Sequence, residues 1–169
     1  IIDILHLMGA DIHLENPRES GGEPVADIRV RSARLKGIDI PEYLVPLAID
    51  EFPVIFIAAA CAEGVTTLRG AEELRVKESD RIQVMAEGLQ ILGIRAEPTP
   101  DGIVIEGGRI RGGEVWAHSD HRIAMSFTVA ALRASAAIRI HDCANVATSF
   151  PGFLALATTA GIRVSGEEA

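Results

Sequence analysis

The sequence predicts an α/β domain made of repeated units, in which helices are buried among mixed sheets. Three segments share one pattern, in which an apolar helix ends at a glycine and a run of strand-forming residues follows. The glycines are Gly9, Gly93 and Gly161. Each stands where a left-handed residue lets the chain turn from helix into strand without a Cβ clash. Because the pattern recurs, it predicts a repeated αβ unit.

The predicted helices are of two kinds. Helices at residues 53–62 and 123–134 are apolar nearly all round, which is typical of helices in a core. The helix at 82–92 carries one apolar stripe at three- and four-residue spacing, which indicates an amphipathic helix. Shorter helices at 1–8 and 153–160 precede the first and last of the three glycines.

Strands are predicted after these helices and after glycine-rich turns. The segment Thr99-Pro100-Asp101-Gly102 predicts a hairpin, and the pairs Gly107-Gly108 and Gly112-Gly113 predict further hairpin turns. In chain order, the predicted strands are 10–14, 65–69, 94–97, 103–105, 115–117, 137–141 and 162–164.

Composition narrows the classes of function. The 169 residues carry a formal net charge of -8, which argues against nucleic acid or an anionic membrane as partner, because both select clustered basic residues. No apolar run reaches about 18 residues and no leader pattern is present, so we expect neither a membrane span nor a signal peptide. Cys61 and Cys143 suggest no disulfide framework or zinc site, and a reducing, cytoplasmic compartment is expected. Since Ile1 is not Met, we expect the chain to be part of a longer protein.

Charged residues gather at the predicted starts of three helices. Residues 73–81 mix cations and acids directly before the helix at 82–92, where Ser79 or Asp80 can cap the helix. Residues 118–122 and 50–53 precede the two apolar helices in the same way. Each segment alone can be a solvated charge run, a set of helix caps or, for the histidines, a structural group. In a repeat that points equivalent helices the same way, the three together favour one shared anion site.

Two of these segments resemble the signature segments of the 5-enolpyruvylshikimate-3-phosphate synthases. They are residues 74–81, Leu-Arg-Val-Lys-Glu-Ser-Asp-Arg, and residues 120–127, Asp-His-Arg-Ile-Ala-Met-Ser-Phe. Further similarity at 49–53, 58–60 and 147–153 extends the resemblance over essentially the whole chain. It implies one domain of the two-domain enolpyruvyl transferase fold, whose domains each hold three βαβαββ units with buried helices. We expect a C-terminal domain over residues 1–169, with a truncated unit at about 1–50 and further units at about 51–117 and 118–169.

The resemblance implies a reaction and its catalytic residues. The enolpyruvyl group of phosphoenolpyruvate moves to the 5-hydroxyl of shikimate 3-phosphate and phosphate leaves, through a tetrahedral ketal, in the shikimate pathway of aromatic amino-acid biosynthesis. By resemblance, Asp50 is the proton acceptor that contacts the shikimate hydroxyls, and Glu78 transfers a proton at the substrate carbon. His121 is expected to assist Glu78. No metal or organic cofactor is implied.

The resemblance also implies a set of substrate-binding residues. Lys77 and Asp50 contact shikimate 3-phosphate, while Arg81 and Arg122 hold phosphoenolpyruvate, a role suited to a guanidinium because its fork binds carboxylate or phosphate oxygens in pairs. Asp120 belongs to the same set and supports the arginines. The other domain of the family supplies further phosphate-binding side chains. We therefore expect that domain as the partner, a monomeric full enzyme, and no turnover by this chain alone.

Two positions depart from the family pattern, and two other interpretations stay open. Thr148 stands where many members have a lysine, and Glu73 stands where some have an asparagine that binds the substrate phosphate. Because an ionised acid cannot donate to phosphate, Glu73 is left out of the predicted site. The alternatives are an enolpyruvyl transferase acting on a UDP-amino sugar, which lacks the segment found at 120–122, and a non-catalytic binding module of the same fold.

Overall fold

The computed structural model describes residues 1–165, which form a mixture of helices and strands. The helices are α1 (Ile2–Leu7), α2 (Phe52–Ala60), α3 (Arg81–Ile91), α4 (His121–Ala130), α5 (Val146–Ser149) and α6 (Phe153–Thr159). The strands are β1 (Asp11–Ser20), β2 (Glu23–Arg31), β3 (Val65–Leu68), β4 (Arg95–Thr99), β5 (Gly102–Glu106), β6 (Gly113–Trp116) and β7 (Ile138–His141). Short 3-10 turns cover Glu42–Leu44, Pro46–Glu51 and Glu72–Val76. No helix in this range is long and apolar enough to cross a membrane.

One complete βαβαββ unit lies in the middle of the chain. Its sheet has the order β3-β5-β4, with β5 antiparallel to both neighbours. An extended segment joins β3 in parallel through the bridges Lys36–Glu63 and Asp39–Thr67. The unit therefore runs as extended segment, α2, β3, α3, β4 and β5, and the predicted repeat architecture is confirmed. Because the extended segment belongs to this sheet, we propose that the unit begins near residue 36 and not near residue 51.

Partial units lie on both sides of the complete one. Before it, α1 leads through Gly9 (φ 88°) into the antiparallel hairpin β1–β2. After it, β6 and β7 pair in parallel with α4 between them. The strand predicted at residues 162–164 is not formed. Gly161 turns the chain with φ 94° as predicted, but the residues after it pair with no strand within residues 1–165, and a strand is stable only when it is paired.

The glycines between β5 and β6 do not have the predicted role. Hairpin turns at Gly107-Gly108 and Gly112-Gly113 are a wrong prediction, because β6 pairs with β7 and does not fold back on β5. None of the four glycines has a positive φ. A Cβ on Gly107 would lie 1.7 Å from the carbonyl oxygen of Ala62. Glycine is needed at this position because the two backbone segments approach too closely for a side chain.

The β1–β2 hairpin extends well beyond the strand predicted at residues 10–14. Gly21 and Gly22 form its turn with φ values of 62° and 85°. A glycine pair between two strands is a recognised signal for a two-residue hairpin turn, because both positions require a positive φ. This pair is the sequence feature that could have predicted the hairpin.

Packing in the core fixes the relative positions of α2, α3 and α4. Phe52 and Phe56 on α2 and Phe127 on α4 are almost fully buried, and burying each ring contributes roughly 1.5–3 kcal/mol. The amphipathic α3 approaches α4 at Gly88, where a Cβ would lie 2.2 Å from Cζ of Phe127. With these helices held against one another, the residues before each of them can meet at one place.

Candidate active site

Arg81, the first residue of α3, is the centre of the site. Its side chain is 1% exposed. Nε donates to Oδ2 of Asp120 at 2.8 Å, Nη1 to Oδ1 of Asp50 at 3.0 Å, and Nη2 to Oε2 of Glu78 at 2.6 Å. Asp50 lies just before α2, and Asp120 is the N-cap of α4. The three charged segments that precede helices in the sequence therefore meet at one guanidinium.

Asp120 is buried and supports the two arginines. Its side chain is 0% exposed, and its carboxylate accepts hydrogen bonds from Arg81, from Oγ of Ser79 at 3.0 Å and from the backbone N–H of Arg122 at 3.0 Å. Burial raises the pKa of Asp120, but the hydrogen bond and charge of Arg81 outweigh burial and hold the pKa below its ordinary value. These contacts agree with the expected support of the two arginines, and the substrate-binding role of Asp120 stays a prediction.

The charge of Arg81 is retained in spite of its burial. Burial lowers the pKa of Arg81, but the hydrogen bond and charge of Asp120, the charge of Glu78 and the hydrogen bond to Asp50 raise it above the ordinary value. Three carboxylates around one guanidinium offset the cost of removing the cation from water. The site thus contains a permanently charged guanidinium whose orientation is fixed by its carboxylate neighbours.

Lys77 and Asp50 lie beside this centre and are partly exposed. Nζ of Lys77 is 2.5 Å from Oε1 of Glu73 and 3.4 Å from Oδ1 of Asp50. Burial raises the pKa of Asp50, but the charges of Lys77 and Arg122 and the hydrogen bond from Arg81 hold it below its ordinary value. The hydrogen bond with Glu73 raises the pKa of Lys77. Glu73, which was not expected in the site, is therefore the nearest charged partner of Lys77 among the described residues.

Arg122 lies in the first turn of α4, and its side chain is 31% exposed. Nη1 donates to Oε1 of Glu51 at 2.8 Å and to the backbone carbonyl oxygen of Asp50 at 3.0 Å. Glu51 is the N-cap residue of α2, but no side chain caps this helix by a hydrogen bond. Glu51 joins the site as the partner of Arg122. Its position beside Asp50 was the only sequence signal for this role.

Arg75 and Asp80 anchor the segment that carries Lys77 and Glu78. Nη1 of Arg75 donates to Oδ2 of Asp80 at 2.6 Å, and its other nitrogens donate to the carbonyl oxygens of Thr99 and Pro100 in the β4–β5 turn. Oδ1 of Asp80 accepts from the backbone N–H of Gln83 at 3.0 Å, which confirms Asp80 as the cap of α3. The segment that carries Lys77 and Glu78 is therefore anchored to the β3-β5-β4 sheet of the complete unit.

His121 and Thr148 lie close to the start of α4. His121 is the first residue of that helix and is partly exposed; within residues 1–165 its ring donates no hydrogen bond to Glu78, so its role remains a prediction. Thr148 is exposed on the short α5. Nδ2 of Asn145, the N-cap residue of α5, donates to the carbonyl oxygen of Ser119, which ties α5 to the start of α4.

The fold and the cluster define a class of protein. A βαβαββ repeat with buried helices, whose starts meet at one charged cluster, is the architecture expected of a domain from an enolpyruvyl transferase. Comparison with known proteins narrows the class further. Residues 1–156 match the family described as EPSP synthase (3-phosphoshikimate 1-carboxyvinyltransferase).

Relatives with known names agree with this match. The 3-phosphoshikimate 1-carboxyvinyltransferase of Methylococcus capsulatus is 68% identical over 164 residues, which cover 97% of this chain and 38% of the relative. Its counterpart from Alkalilimnicola ehrlichii is 67% identical over 170 residues, covering 100% of this chain and 38% of the relative. An EPSP synthase structure from Acinetobacter baumannii matches with a TM-score of 0.96 at 58% identity, covering 99% of this chain and 40% of that one.

The chain belongs to the EPSP synthase family. It spans about 38% of the length of the curated relatives it matches.

Proposed function

We propose that this chain forms one wall of the active site of a cytoplasmic, monomeric 3-phosphoshikimate 1-carboxyvinyltransferase. The reaction transfers the enolpyruvyl group of phosphoenolpyruvate to the 5-hydroxyl of shikimate 3-phosphate, as a step of aromatic amino-acid biosynthesis. The observation that carries the proposal is the buried guanidinium of Arg81, which joins the starts of three helices. The names of the relatives favour shikimate 3-phosphate over a UDP-amino sugar as the acceptor.

Different cations of the cluster bind the two substrates. Arg81 and Arg122 bind the carboxylate or phosphate of phosphoenolpyruvate, and Lys77 binds the phosphate of shikimate 3-phosphate. Arg122 and Lys77 are partly exposed and can meet an anion directly. Charge-assisted hydrogen bonds from fixed donors are about twice as strong as neutral ones, which suits substrates that carry several negative charges.

Asp50 and Glu78 carry the proton transfers. Asp50 accepts the proton of the 5-hydroxyl as its oxygen bonds to C2 of phosphoenolpyruvate, and Glu78 gives a proton to C3, which forms the tetrahedral ketal. Loss of phosphate from C2 and of a proton from C3 then restores the double bond in the product. The lowered pKa of Asp50 keeps its carboxylate ionised near neutral pH and so able to accept a proton. His121 supports Glu78 from the start of α4.

The cluster cannot bind both substrates without help from the rest of the protein. Among the described residues, its carboxylates outnumber its cations. The carboxylates are Asp50, Glu51, Glu73, Glu78, Asp80 and Asp120, and the cations are Arg75, Lys77, Arg81 and Arg122. Further cations must therefore come from the domain that this chain does not include, which is its expected partner.

Turnover by the full-length protein tests the proposal. Phosphate release should require both phosphoenolpyruvate and shikimate 3-phosphate, and a UDP-amino sugar should not replace the latter. Glu78→Gln should lower the rate of the chemical step by about 10²–10⁴-fold, the usual contribution of a general acid. His121→Ala should lower it by a smaller factor, and the double variant should be less impaired than the product of the two singles. Phosphate release from the UDP-amino sugar, or an unchanged rate in Glu78→Gln, would reject this assignment.

A further inference from the structure

Arg81 has no free face with which to bind a substrate in the arrangement described above. Its hydrogen bonds run to three carboxylates, and Asp120 contacts both Nε, at 2.8 Å, and Nη2, at 3.4 Å. Because almost none of its surface is exposed, an incoming oxyanion can reach the guanidinium only if one carboxylate moves away. Binding of phosphoenolpyruvate to Arg81 is therefore an exchange of partners and not a simple addition.

Glu78 is the carboxylate that can leave at the lowest cost. Asp120 is buried and accepts from three groups, and Asp50 is also held by Lys77. The side chain of Glu78 is 50% exposed, and within residues 1–165 its ion pair is with Nη2 of Arg81 alone. Since Glu78 already faces water, releasing it leaves no buried charge unpaired.

We propose that the carboxylate of Glu78 is an internal competitor for the anion position on Arg81. Phosphoenolpyruvate takes this position by displacing Glu78, and the displaced carboxylate takes up a proton from water, which it then gives to C3 of the substrate. The inference rests on the proposed function and adds the order of events: Glu78 is released for chemistry only when the anion position is filled. The competition lowers the apparent affinity for phosphoenolpyruvate, because only the fraction of molecules with Glu78 displaced can bind.

Glu78→Gln separates this proposal from a purely catalytic role for Glu78. A neutral amide binds a guanidinium about half as strongly as a carboxylate and brings no negative charge near the substrate. The full-length variant should therefore lose turnover and, at the same time, have a KM for phosphoenolpyruvate at least about tenfold lower, measured by phosphate release at saturating shikimate 3-phosphate. Because chemistry is slow in this variant, its KM approaches the dissociation constant. Calorimetric titration of its complex with shikimate 3-phosphate by phosphoenolpyruvate supplies the same constant if turnover is too slow to follow.

Glu87→Gln is the matched control, because it makes the same chemical change on α3 and removes the same charge. Glu87 accepts a hydrogen bond from Gln83 and is exposed, and its variant should leave both kcat and KM nearly unchanged. An unchanged or raised KM in Glu78→Gln, with an active wild type, overturns the exchange and leaves the proposed function intact. A wild-type full-length protein that releases no phosphate overturns both.

Discussion

Arg81 and Asp120 form the pair on which the other contacts of the site depend. Transferring an ion from water to a protein interior costs several kcal/mol, and this cost is recovered only when good geometry and further hydrogen bonds accompany the ion pair. Asp120 supplies that geometry, since it binds Arg81, Ser79 and the backbone of Arg122 together. We therefore expect Asp120 to contribute mainly to stability and to the orientation of the two arginine side chains.

Asp120→Asn should lower the free energy of unfolding of the full-length protein by about 3–5 kcal/mol near neutral pH, because it leaves a buried guanidinium without its buried countercharge. The folded pKa of Asp120 lies below the ordinary value of 3.8. Its contribution is therefore fully present above that pH and is lost as the pH falls through the folded pKa. Urea unfolding should show a constant difference in unfolding free energy between variant and wild type from about pH 5 to 8. This difference should narrow only below about pH 3.8.

Asp27→Asn is the control for this experiment, because Asp27 also has a lowered pKa, caused by hydrogen bonds from Asn16 and Arg18, but is exposed on the hairpin. This variant should change stability little. A similar loss of unfolding free energy in both variants would show that removing a charge, and not breaking the buried pair, explains the effect of Asp120→Asn.

Arg122→Ala tests whether an arginine of the cluster serves binding. Its ion pair with Glu51 is partly exposed, and such pairs typically contribute about 0–1 kcal/mol to stability. The melting temperature of the full-length variant should therefore change little. Affinity for phosphoenolpyruvate should fall by about 10–150-fold, the equivalent of one hydrogen bond to a charged group.

Arg95→Ala provides the comparison, because Arg95 is exposed and pairs with Glu97 and Glu106 on the β4–β5 sheet, away from the cluster. Its affinity for phosphoenolpyruvate should match the wild type. A large fall in melting temperature for Arg122→Ala with unchanged affinity would make Arg122 a structural residue.

The sequence predicts the members of this cluster better than their contacts. Asp50, Lys77, Arg81 and Arg122 were found because charged segments precede helices and resemble a known family. The burial of Asp120 was not visible in the sequence, and the pairing of Glu51 with Arg122 was missed. The partners of Glu73 and Glu51 depend on how α2, α3 and α4 pack, which no spacing along the chain encodes.

At the scale of elements, the glycine-terminated helices were the most reliable signal. Gly9, Gly93 and Gly161 all have φ values between 85° and 94°, as a left-handed position after a helix requires. Hairpin prediction was less successful, because a glycine pair can serve either a turn or a close backbone approach. Gly21-Gly22 makes a turn, whereas Gly107-Gly108 does not, and the two cases look alike in sequence.

Gly88→Ala tests the packing of α3 on α4. A Cβ at this position would lie 2.2 Å from Cζ of Phe127, so either the ring or the helix must move. Overpacking of this kind costs about 1–3 kcal/mol, although alanine has a helix propensity about 1 kcal/mol better than glycine. The full-length variant should therefore unfold at a lower urea concentration than the wild type.

Gly108→Ala serves as the reference, since its Cβ would meet the Cδ1 atom of Ile94 at 3.4 Å, close to ordinary contact. It should be nearly neutral. An increase in stability for Gly88→Ala would mean that α3 and α4 pack less closely than described.

At the scale of the whole molecule, the chain contains one complete unit and the partial units beside it. The parallel pair β6–β7 has no third strand within residues 1–165, and residues 162–164 have no partner strand there. The excess of carboxylates in the cluster supports the proposal that another domain contributes cations to the site. The sequence could predict the repeat, but not which strands pair with one another among the described residues.

We propose that this chain carries one wall of an active site and depends on another domain for catalysis. The most direct test is phosphate release from phosphoenolpyruvate and shikimate 3-phosphate by the purified 169-residue chain, beside the full-length protein at equal concentration. Circular dichroism provides the check that the chain is folded. We predict turnover by the full-length protein and none above background by the folded chain, because electrostatic preorganisation cannot be completed from one side. Measurable turnover by the chain alone would show that the site is complete without another domain.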